Sequence, residues 1–293
     1  MRVPHGSERR TPAEEAGVRV TTRRSLIGET CGRRLRTFES GDSHWGEWLA
    51  ELLGTALFFA VGFSIVALIL SPRSPVSDDI PRDIRFLMVG LNFGVLAAAI
   101  ALSPLGRRSG AHLNPAVTLG FWLRGDVHRH DLFAYAIAQF AGALAGTAAF
   151  GFATGSWAES ISHARTSPAS VGLLWAVAIE AAITFGLLVP IFAALSSRRF
   201  ARYTPVAVVV VLALLIWGAS PPTGASMNPA RSLAPAIIEQ DFRSLWVYFV
   251  GPAIGAVAAA LAFRVMNVRT ATTKLFHDPR YRCTMRTRLP ARP

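Results

Sequence analysis

The chain has 293 residues, of which 52% are hydrophobic and only 16% are charged, and its formal net charge is +12. Soluble domains usually contain about 25% charged residues, so this composition excludes an ordinary soluble protein and indicates one that lies in a membrane. The positive charge also does not indicate a nucleic-acid-binding protein, because the arginines cluster in the two terminal segments and no aromatic or fold motif accompanies them.

The first segment, residues 1–44, is basic and contains no apolar stretch typical of a signal peptide. Its composition predicts a disordered tail. Six apolar runs follow, and since about 20 helical residues cross a bilayer, they predict six transmembrane helices. The fifth run is short and needs flanking residues such as Tyr203 and Thr204 to span. The runs are 49–70, 86–102, 132–153, 171–195, 206–217 and 246–266.

The last segment, residues 269–293, is a second basic tail. Six spans place both tails on one side of the membrane, and the positive-inside rule predicts that this side is the cytoplasm. The plasma membrane is the expected location. Cys31 and Cys283 lie one in each tail, so a reducing cytoplasm predicts that neither forms a structural disulfide.

Two short segments, "GAHLNPAVT" and "GASMNPARS", share the pattern Gly-Ala-x-x-Asn-Pro-Ala. An apolar run that contains a glutamate precedes each segment, with "ELLGT" before the first and "EAAIT" before the second. Each half therefore has three spans, and an odd number forces the halves into opposite orientations. This arrangement predicts an inverted repeat, with repeat 1 at about 45–153 and repeat 2 at about 170–268 inside a channel domain of residues 45–268. The motif residues are Asn114, Pro115, Ala116, Asn228, Pro229 and Ala230.

Each motif has the chemistry of a helix start inside the membrane. Asparagine is among the best N-caps and proline favours the first helical position, so short helices are predicted over 115–123 and 229–238. Inverted symmetry brings their N-termini together at mid-membrane. Irregular backbone at that depth is tolerated only where it is buried in protein or lines a water-filled cavity, which indicates a pore.

Several polar side chains near the motifs are predicted to support the loops. Glu51 and Glu180 could merely end helices, but they lie inside apolar runs, where a carboxylate is costly and usually functional. We expect each to accept hydrogen bonds from the loop of its own half, with Thr55 and Thr184 as further support. His112 is expected to pack beside the first loop or to gate the inner side. No second metal ligand is suitably spaced, so neither a metal nor a cofactor is predicted.

These motifs and their paired glutamate helices resemble those of the aquaporin, or major intrinsic protein, family over roughly residues 45–266. The resemblance implies an all-α membrane protein with six tilted helices and two re-entrant half-helices in an inverted repeat. It also implies a homotetramer with one pore per subunit, which passively conducts water or small uncharged solutes. Asn114 and Asn228 would point amide donors into the lumen, and Arg231 matches the family's selectivity arginine.

The resemblance also places a selectivity filter, at Phe93, Ile216, Ala225 and Arg231. Water-selective members have histidine where Ile216 stands, so a wider and less polar constriction is implied. A shift of one residue would place Trp217 there instead. Ser232, Ala236 and Tyr248–Phe249 resemble the water-channel pattern, whereas "GASMNPARSL" is similar to plant proteins that pass glycerol, urea or metalloid acids.

Other functions remain open from the sequence. A facilitator of glycerol, urea or metalloid acids is the main alternative, and a secondary transporter can also contain inverted repeats with broken helices. A membrane enzyme is not expected, because the spans contain no catalytic triad, metal cluster or phosphate loop. A non-conducting structural role is a further alternative. The pairs Gly142–Gly146 and Gly251–Gly255 permit close helix packing, either within a subunit or between subunits.

Overall fold

The computed structural model describes residues 43–76, 79–169 and 171–268, and within these ranges the regular structure is entirely helical. Residues 1–42 and 269–293, with Cys31 and Cys283, lie outside the described residues. We label the helices of nine or more residues in chain order. They are α1 Trp45–Leu70, α2 Arg82–Leu102, α3 Pro115–Leu123, α4 Arg129–Thr154, α5 Leu173–Leu195, α6 Thr204–Thr223, α7 Pro229–Ile238 and α8 Val247–Val265.

Six of these helices are long and apolar enough to cross a membrane, which confirms the predicted number of spans. Helices α3 and α7 have only 9 and 10 residues. At 1.5 Å per residue each covers about half of a hydrocarbon core roughly 30 Å thick. They are therefore half-helices, and they begin at Pro115 and Pro229, as the motifs predict.

Helix α6 is longer than the apolar run of residues 206–217 that predicted it. It begins at Thr204, one of the expected flanking residues, and it continues to Thr223 through Pro221 and Pro222. Proline usually ends a helix, but neighbouring structure can satisfy the freed backbone groups in a membrane protein. At the end of the helix, the backbone N–H of Ala169 donates to the Pro222 carbonyl at 2.9 Å and so satisfies one of the last carbonyls of α6.

Glycines allow the helices of each repeat to approach closely. A Cβ added at Gly142 or Gly146 of α4 would lie 2.4 or 2.3 Å from a backbone carbonyl oxygen of α1. In the second repeat a Cβ at Gly255 of α8 would lie 2.3 Å from the Ala181 carbonyl oxygen of α5. Both glycine pairs thus lie at interfaces within the subunit, which resolves the choice that the sequence left open.

A third glycine pair joins the two repeats and was missed in the sequence. Gly90 and Gly94 of α2 lie against the backbone of Ala213 and Val209 in α6, where an added Cβ would be 2.7 Å from the nearest atom in each case. The central crossing between repeats is therefore α2 against α6. Around it, the helices present exposed apolar side chains to the surroundings, as a bilayer requires.

Candidate functional site: a channel between the two half-helices

Each half-helix is capped by the asparagine of its own motif. The Oδ1 atom of Asn114 accepts from the backbone N–H of Ala116 at 2.8 Å, and that of Asn228 accepts from Ala230 at 3.0 Å. These bonds satisfy N–H groups that have no partner within the helix. The amide nitrogens are thereby turned away from the half-helices and toward the centre of the protein.

The two asparagines also tie the two repeats together. Asn114 Nδ2 donates to the carbonyl of Met227 at 2.9 Å, and Asn228 Nδ2 donates to the carbonyl of Leu113 at 3.0 Å. An amide nitrogen has two N–H groups, so each asparagine retains one more donor after this bond. Both side chains line the same cavity, and we expect the remaining donors to face it.

The loops before the half-helices have an unusual backbone that is the same in both repeats. Ala111 and Leu113 have φ of 51° and 53°, and Ala225 and Met227 have φ of 46° and 52°. A non-glycine residue in this left-handed region costs roughly 1–2 kcal/mol. The alternation turns the backbone N–H groups of each loop toward one side, where an acceptor stabilises them.

The buried carboxylates of α1 and α5 are those acceptors. Glu51 accepts from the backbone N–H groups of His112 and Leu113 at 3.0 and 2.8 Å. Glu180 accepts from Ser226 and Met227 at the same two distances, 3.0 and 2.8 Å. The hydrogen bonds predicted between each glutamate and the loop of its own half are present.

A polar side chain donates a further hydrogen bond to each carboxylate. Gln139 Nε2 donates to Glu51 at 2.8 Å and to Thr118 Oγ1 at 3.0 Å, and Thr223 Oγ1 donates to Glu180 at 2.7 Å. The sequence analysis did not single out Gln139. Gln139 is the one amide side chain in the apolar run of residues 132–153, and a polar residue in such a run could have indicated its role.

Two tyrosines anchor the entrances of the loops in equivalent ways. Tyr135 donates to the Ser109 carbonyl at 2.9 Å, and Tyr248 donates to the Thr223 carbonyl at 2.8 Å. Both tyrosines are fully buried. Tyr248 had been considered only as a marker of subfamily, and its contact shows a role in holding the loop.

The prediction that Thr55 and Thr184 support the loops directly is wrong. Neither hydroxyl has a hydrogen-bond partner among the described residues. A Cβ atom added at Gly142 would instead lie 3.0 Å from the Cβ atom of Thr55, and one added at Gly255 would lie 2.8 Å from the Cβ atom of Thr184. The threonines pack at the helix crossings of α1 with α4 and of α5 with α8.

His112 lies beside the first loop and lines the cavity. Its Nδ1 atom is 3.1 Å from Thr118 Oγ1, and its ring stacks on Phe121 with a centroid distance of 4.7 Å. Packing beside the loop is therefore observed. His112 belongs to no group of three histidine, cysteine or acidic side chains in the described part of the chain that could hold a metal.

The four residues of the predicted filter line one cavity of about 300 Å³, together with both asparagines. Phe93 reaches it from α2 and Ile216 from α6, while Ala225 and Arg231 come from the second loop and half-helix. Ile216 is only 6% exposed, whereas Trp217 is 46% exposed on the outer face. Ile216 therefore faces the cavity.

Arg231 is held in place by the segment between the repeats. Its Nη1 atom donates to the carbonyl of Ala164 at 2.6 Å, and its guanidinium lies 5.4 Å from the centroid of the Phe63 ring. Ala164 ends a helical turn, Ser162–Ala164, in which all three residues have positive φ. His163 of this turn contacts Glu239 at the end of α7.

Charged residues surround this mouth of the cavity. Arg165 and Arg243 both pair with Asp241, at 3.3 and 2.6 Å. Hydrogen bonds from Arg243 hold the pKa of the Asp241 carboxyl well below its usual range. Asp241 therefore stays ionised, and it balances part of the arginine charge at the mouth.

The comparisons with known proteins agree with this geometry. Residues 38–263 match the family described as Major intrinsic protein. The chain belongs to the major intrinsic protein family. As a member it is a membrane channel.

Two curated relatives and one solved structure illustrate the match. The lens fiber major intrinsic protein of Cavia porcellus is 35% identical over 226 residues, which are 75% of this chain and 81% of that protein. The probable aquaporin TIP2-2 of Oryza sativa subsp. japonica is 33% identical over 222 residues, 74% of this chain and 85% of that protein. An aquaglyceroporin from Plasmodium falciparum has a similar fold, with a TM-score of 0.63 at 22% identity over 75% of this chain and 96% of that one.

Proposed function

We propose that this channel conducts water, together with small uncharged solutes, and excludes protons and ions. The observation that carries the proposal is the pair of half-helices, whose asparagine caps line one cavity together with Arg231. A water molecule that accepts from both asparagines cannot also accept from its neighbours in the file. The hydrogen-bonded chain that would relay protons is interrupted at that point.

Electrostatics supports the exclusion of cations. The N-termini of α3 and α7 converge on the cavity, and a helix N-terminus carries roughly half a positive elementary charge. Arg231 adds a full positive charge in the same passage. Selectivity in pores of this type follows from diameter, lining hydrogen-bond groups and such electrostatic barriers.

The lining of the filter favours passage of some solutes larger than water. Ile216 and Ala225 offer no side-chain hydrogen-bond donor, and Arg231 is the one charged side chain among the four proposed filter residues. A facilitator of glycerol or urea with little preference for water is the second candidate, and the apolar Ile216 is the observation that favours it.

A secondary transporter is disfavoured because the buried carboxylates already accept several hydrogen bonds from the protein. Glu51 and Glu180 each accept two backbone N–H groups and one side-chain donor. A coupled transporter needs a group near the midplane that binds and releases an ion during transport. Carboxylates held by three donors serve as fixed supports for the loops.

We propose a homotetramer in the plasma membrane with both tails in the cytoplasm. The arginine-rich segments 1–44 and 269–293 support this orientation by the positive-inside rule. On this orientation Arg231 and the turn Ser162–Ala164 face the outside. The packed channel domain begins no later than His44, which precedes α1 and is buried.

The experiment that tests the function uses purified protein in liposomes, with shrinkage followed by stopped-flow light scattering. Sucrose is the impermeant osmolyte, and glycerol and urea are tested in parallel against protein-free liposomes. Fast water flow with low activation energy and slower re-swelling in glycerol or urea is the expected result. Water flow no faster than in empty liposomes would refute a water channel. Uptake that saturates and depends on an ion gradient would support the transporter.

A further inference from the structure

A cluster of histidine and aspartate side chains lies where α1 and α4 begin, and none of its members lines the cavity. His44 immediately precedes α1, and His130 and Asp131 lie in the first turn of α4. One ligand atom from each of the three side chains lies within 4.8 Å of the other two. This cluster plays no part in the channel described above.

The distances within the cluster are close to those between ligands of one metal ion. His44 Nδ1 is 3.0 Å from Asp131 Oδ2, and His130 Nε2 is 3.8 Å from the same oxygen. Ligand atoms about 2.0–2.2 Å from a tetrahedral zinc ion lie roughly 3.3–3.6 Å from one another. His44 and Asp131 are buried, whereas the side chain of His130 is 47% exposed and has room to close the remaining gap.

The carboxylate is also supported as a metal ligand would be. Trp48 Nε1 donates to Asp131 Oδ1 at 2.9 Å, which helps to orient the carboxylate. His44 Nδ1 lies 2.8 Å from Oδ1 and 3.0 Å from Oδ2, and Oδ2 is the oxygen near both histidines. Hydrogen bonds of this kind orient ligating groups and are part of most metal sites. The hydrogen bond now shared by His44 Nδ1 and Asp131 is the contact that a metal ion would replace.

We propose that His44, His130 and Asp131 form a binding site for a divalent transition-metal ion of the zinc type. Two imidazoles and one carboxylate suit zinc, nickel or copper better than magnesium or calcium, which prefer oxygen ligands. Three protein ligands leave a fourth position for water or another donor. The ion would link the start of α1 to the start of α4 and so fix the point at which residues 1–44 join the channel domain.

Neighbouring charges set the expected strength of this site. The guanidinium of Arg108 lies against Gly46, two residues from His44, and Arg129 precedes His130. Both positive charges oppose a bound cation, and the buried carboxylate of Glu47 in the first turn of α1 acts in the opposite direction. We therefore expect metal binding to weaken when Glu47 is replaced by glutamine.

The test uses the full chain, purified without a polyhistidine tag and stripped of metal. ZnCl₂ and CoCl₂ are titrated separately, with bound metal per subunit counted after gel filtration and cobalt geometry read from its visible spectrum. We expect one ion per subunit and a tetrahedral cobalt spectrum. His130→Ala and Asp131→Asn should each weaken binding at least tenfold, and zinc should raise the melting temperature of the wild type more than that of these two variants.

Matched controls separate this site from other histidines. His163→Ala removes a histidine at the opposite mouth, and a double variant, His5→Ala with His277→Ala, removes those of the two tails; these variants should bind metal like the wild type. His130 is exposed, so His130→Ala is expected to fold and to retain wild-type water permeability. No stoichiometric binding by the wild type, or equal binding by His130→Ala and Asp131→Asn, would overturn the proposal.

Discussion

At the scale of single residues, two buried glutamates stabilise the loops that precede the half-helices. A carboxylate away from water is costly unless hydrogen bonds compensate it, and an unpaired backbone N–H in the same place is costly as well. Glu51 and Glu180 solve both problems together, since each accepts two neighbouring N–H groups of a loop with left-handed residues. The charge stabilises a backbone conformation that would otherwise be strained.

Glu180→Gln is predicted to impair folding rather than selectivity. A glutamine offers one acceptor oxygen, and its NH₂ group would face a backbone donor, so about 1–3 kcal/mol of stability should be lost. Thermal melting in detergent measures the loss, and water permeability is then normalised to folded protein. Glu159→Gln, at an exposed position, is the matched control and should melt like the wild type. Normal melting combined with pH-dependent loss of transport would contradict a purely structural role.

A second residue-scale prediction concerns the width of the filter. Ile216→His should replace an apolar side chain of the filter with a polar ring that reaches farther toward Arg231, because residue 216 faces the cavity. Glycerol permeability should fall at least several-fold while water permeability changes less. Trp217→Leu changes the next residue, which is on the outer face, and should leave both permeabilities unchanged. If Trp217→Leu changes the ratio and Ile216→His does not, residue 216 has been wrongly placed in the filter.

At the scale of elements, helix crossings are set by glycines whose hydrogen atoms face a neighbouring backbone. Gly255→Ala should destabilise the protein, since its Cβ would lie 2.3 Å from the Ala181 carbonyl oxygen. Gly218→Ala is the matched control, because no atom lies within 4 Å of an added Cβ there. An alanine in a helix is favoured over glycine by up to about 1 kcal/mol, so this variant should be neutral or slightly more stable. Equal melting temperatures for the two variants would contradict this packing.

The elements also show what the sequence could predict. The half-helices were predictable because Asn-Pro carries its own local signal, a cap followed by a residue with a helical φ. The end of α6 was not, because a proline usually indicates the end of a helix, whereas α6 continues through Pro221 and Pro222 to Thr223. Thr55 and Thr184 lie one turn after the glutamates, but helix spacing does not reveal which neighbour a side chain meets. The buried His44 was assigned to the tail because its partner, Asp131, is 87 residues away.

At the scale of the whole molecule, the two repeats share a frame but differ at the positions that face solutes. Asn114 and Asn228 make equivalent bonds across the centre. Arg231 of the second motif has Val117 at the corresponding position of the first. The residues that are equivalent in the two repeats therefore form the centre of the pore. Arg231, which has no equivalent in the first repeat, provides a selective mouth at one end only.

Because both repeats of one chain line the cavity, each subunit should contain a complete pore. Ile216→Trp, which places a large ring in the filter, is expected to abolish conduction by its own subunit. Wild-type and Ile216→Trp chains are coexpressed at several ratios, and all assemblies are purified together through a tag common to both chains and reconstituted in liposomes. Water permeability per assembly should rise linearly with the wild-type fraction, because blocked neighbours leave a pore within one chain unaffected. A pore shared by four subunits would instead conduct only when all four are wild type, so permeability would follow the fourth power of that fraction.

Gel filtration and melting of pure Ile216→Trp protein establish that the blocked chain folds. A curve steeper than linear for folded assemblies would contradict a pore contained in one subunit.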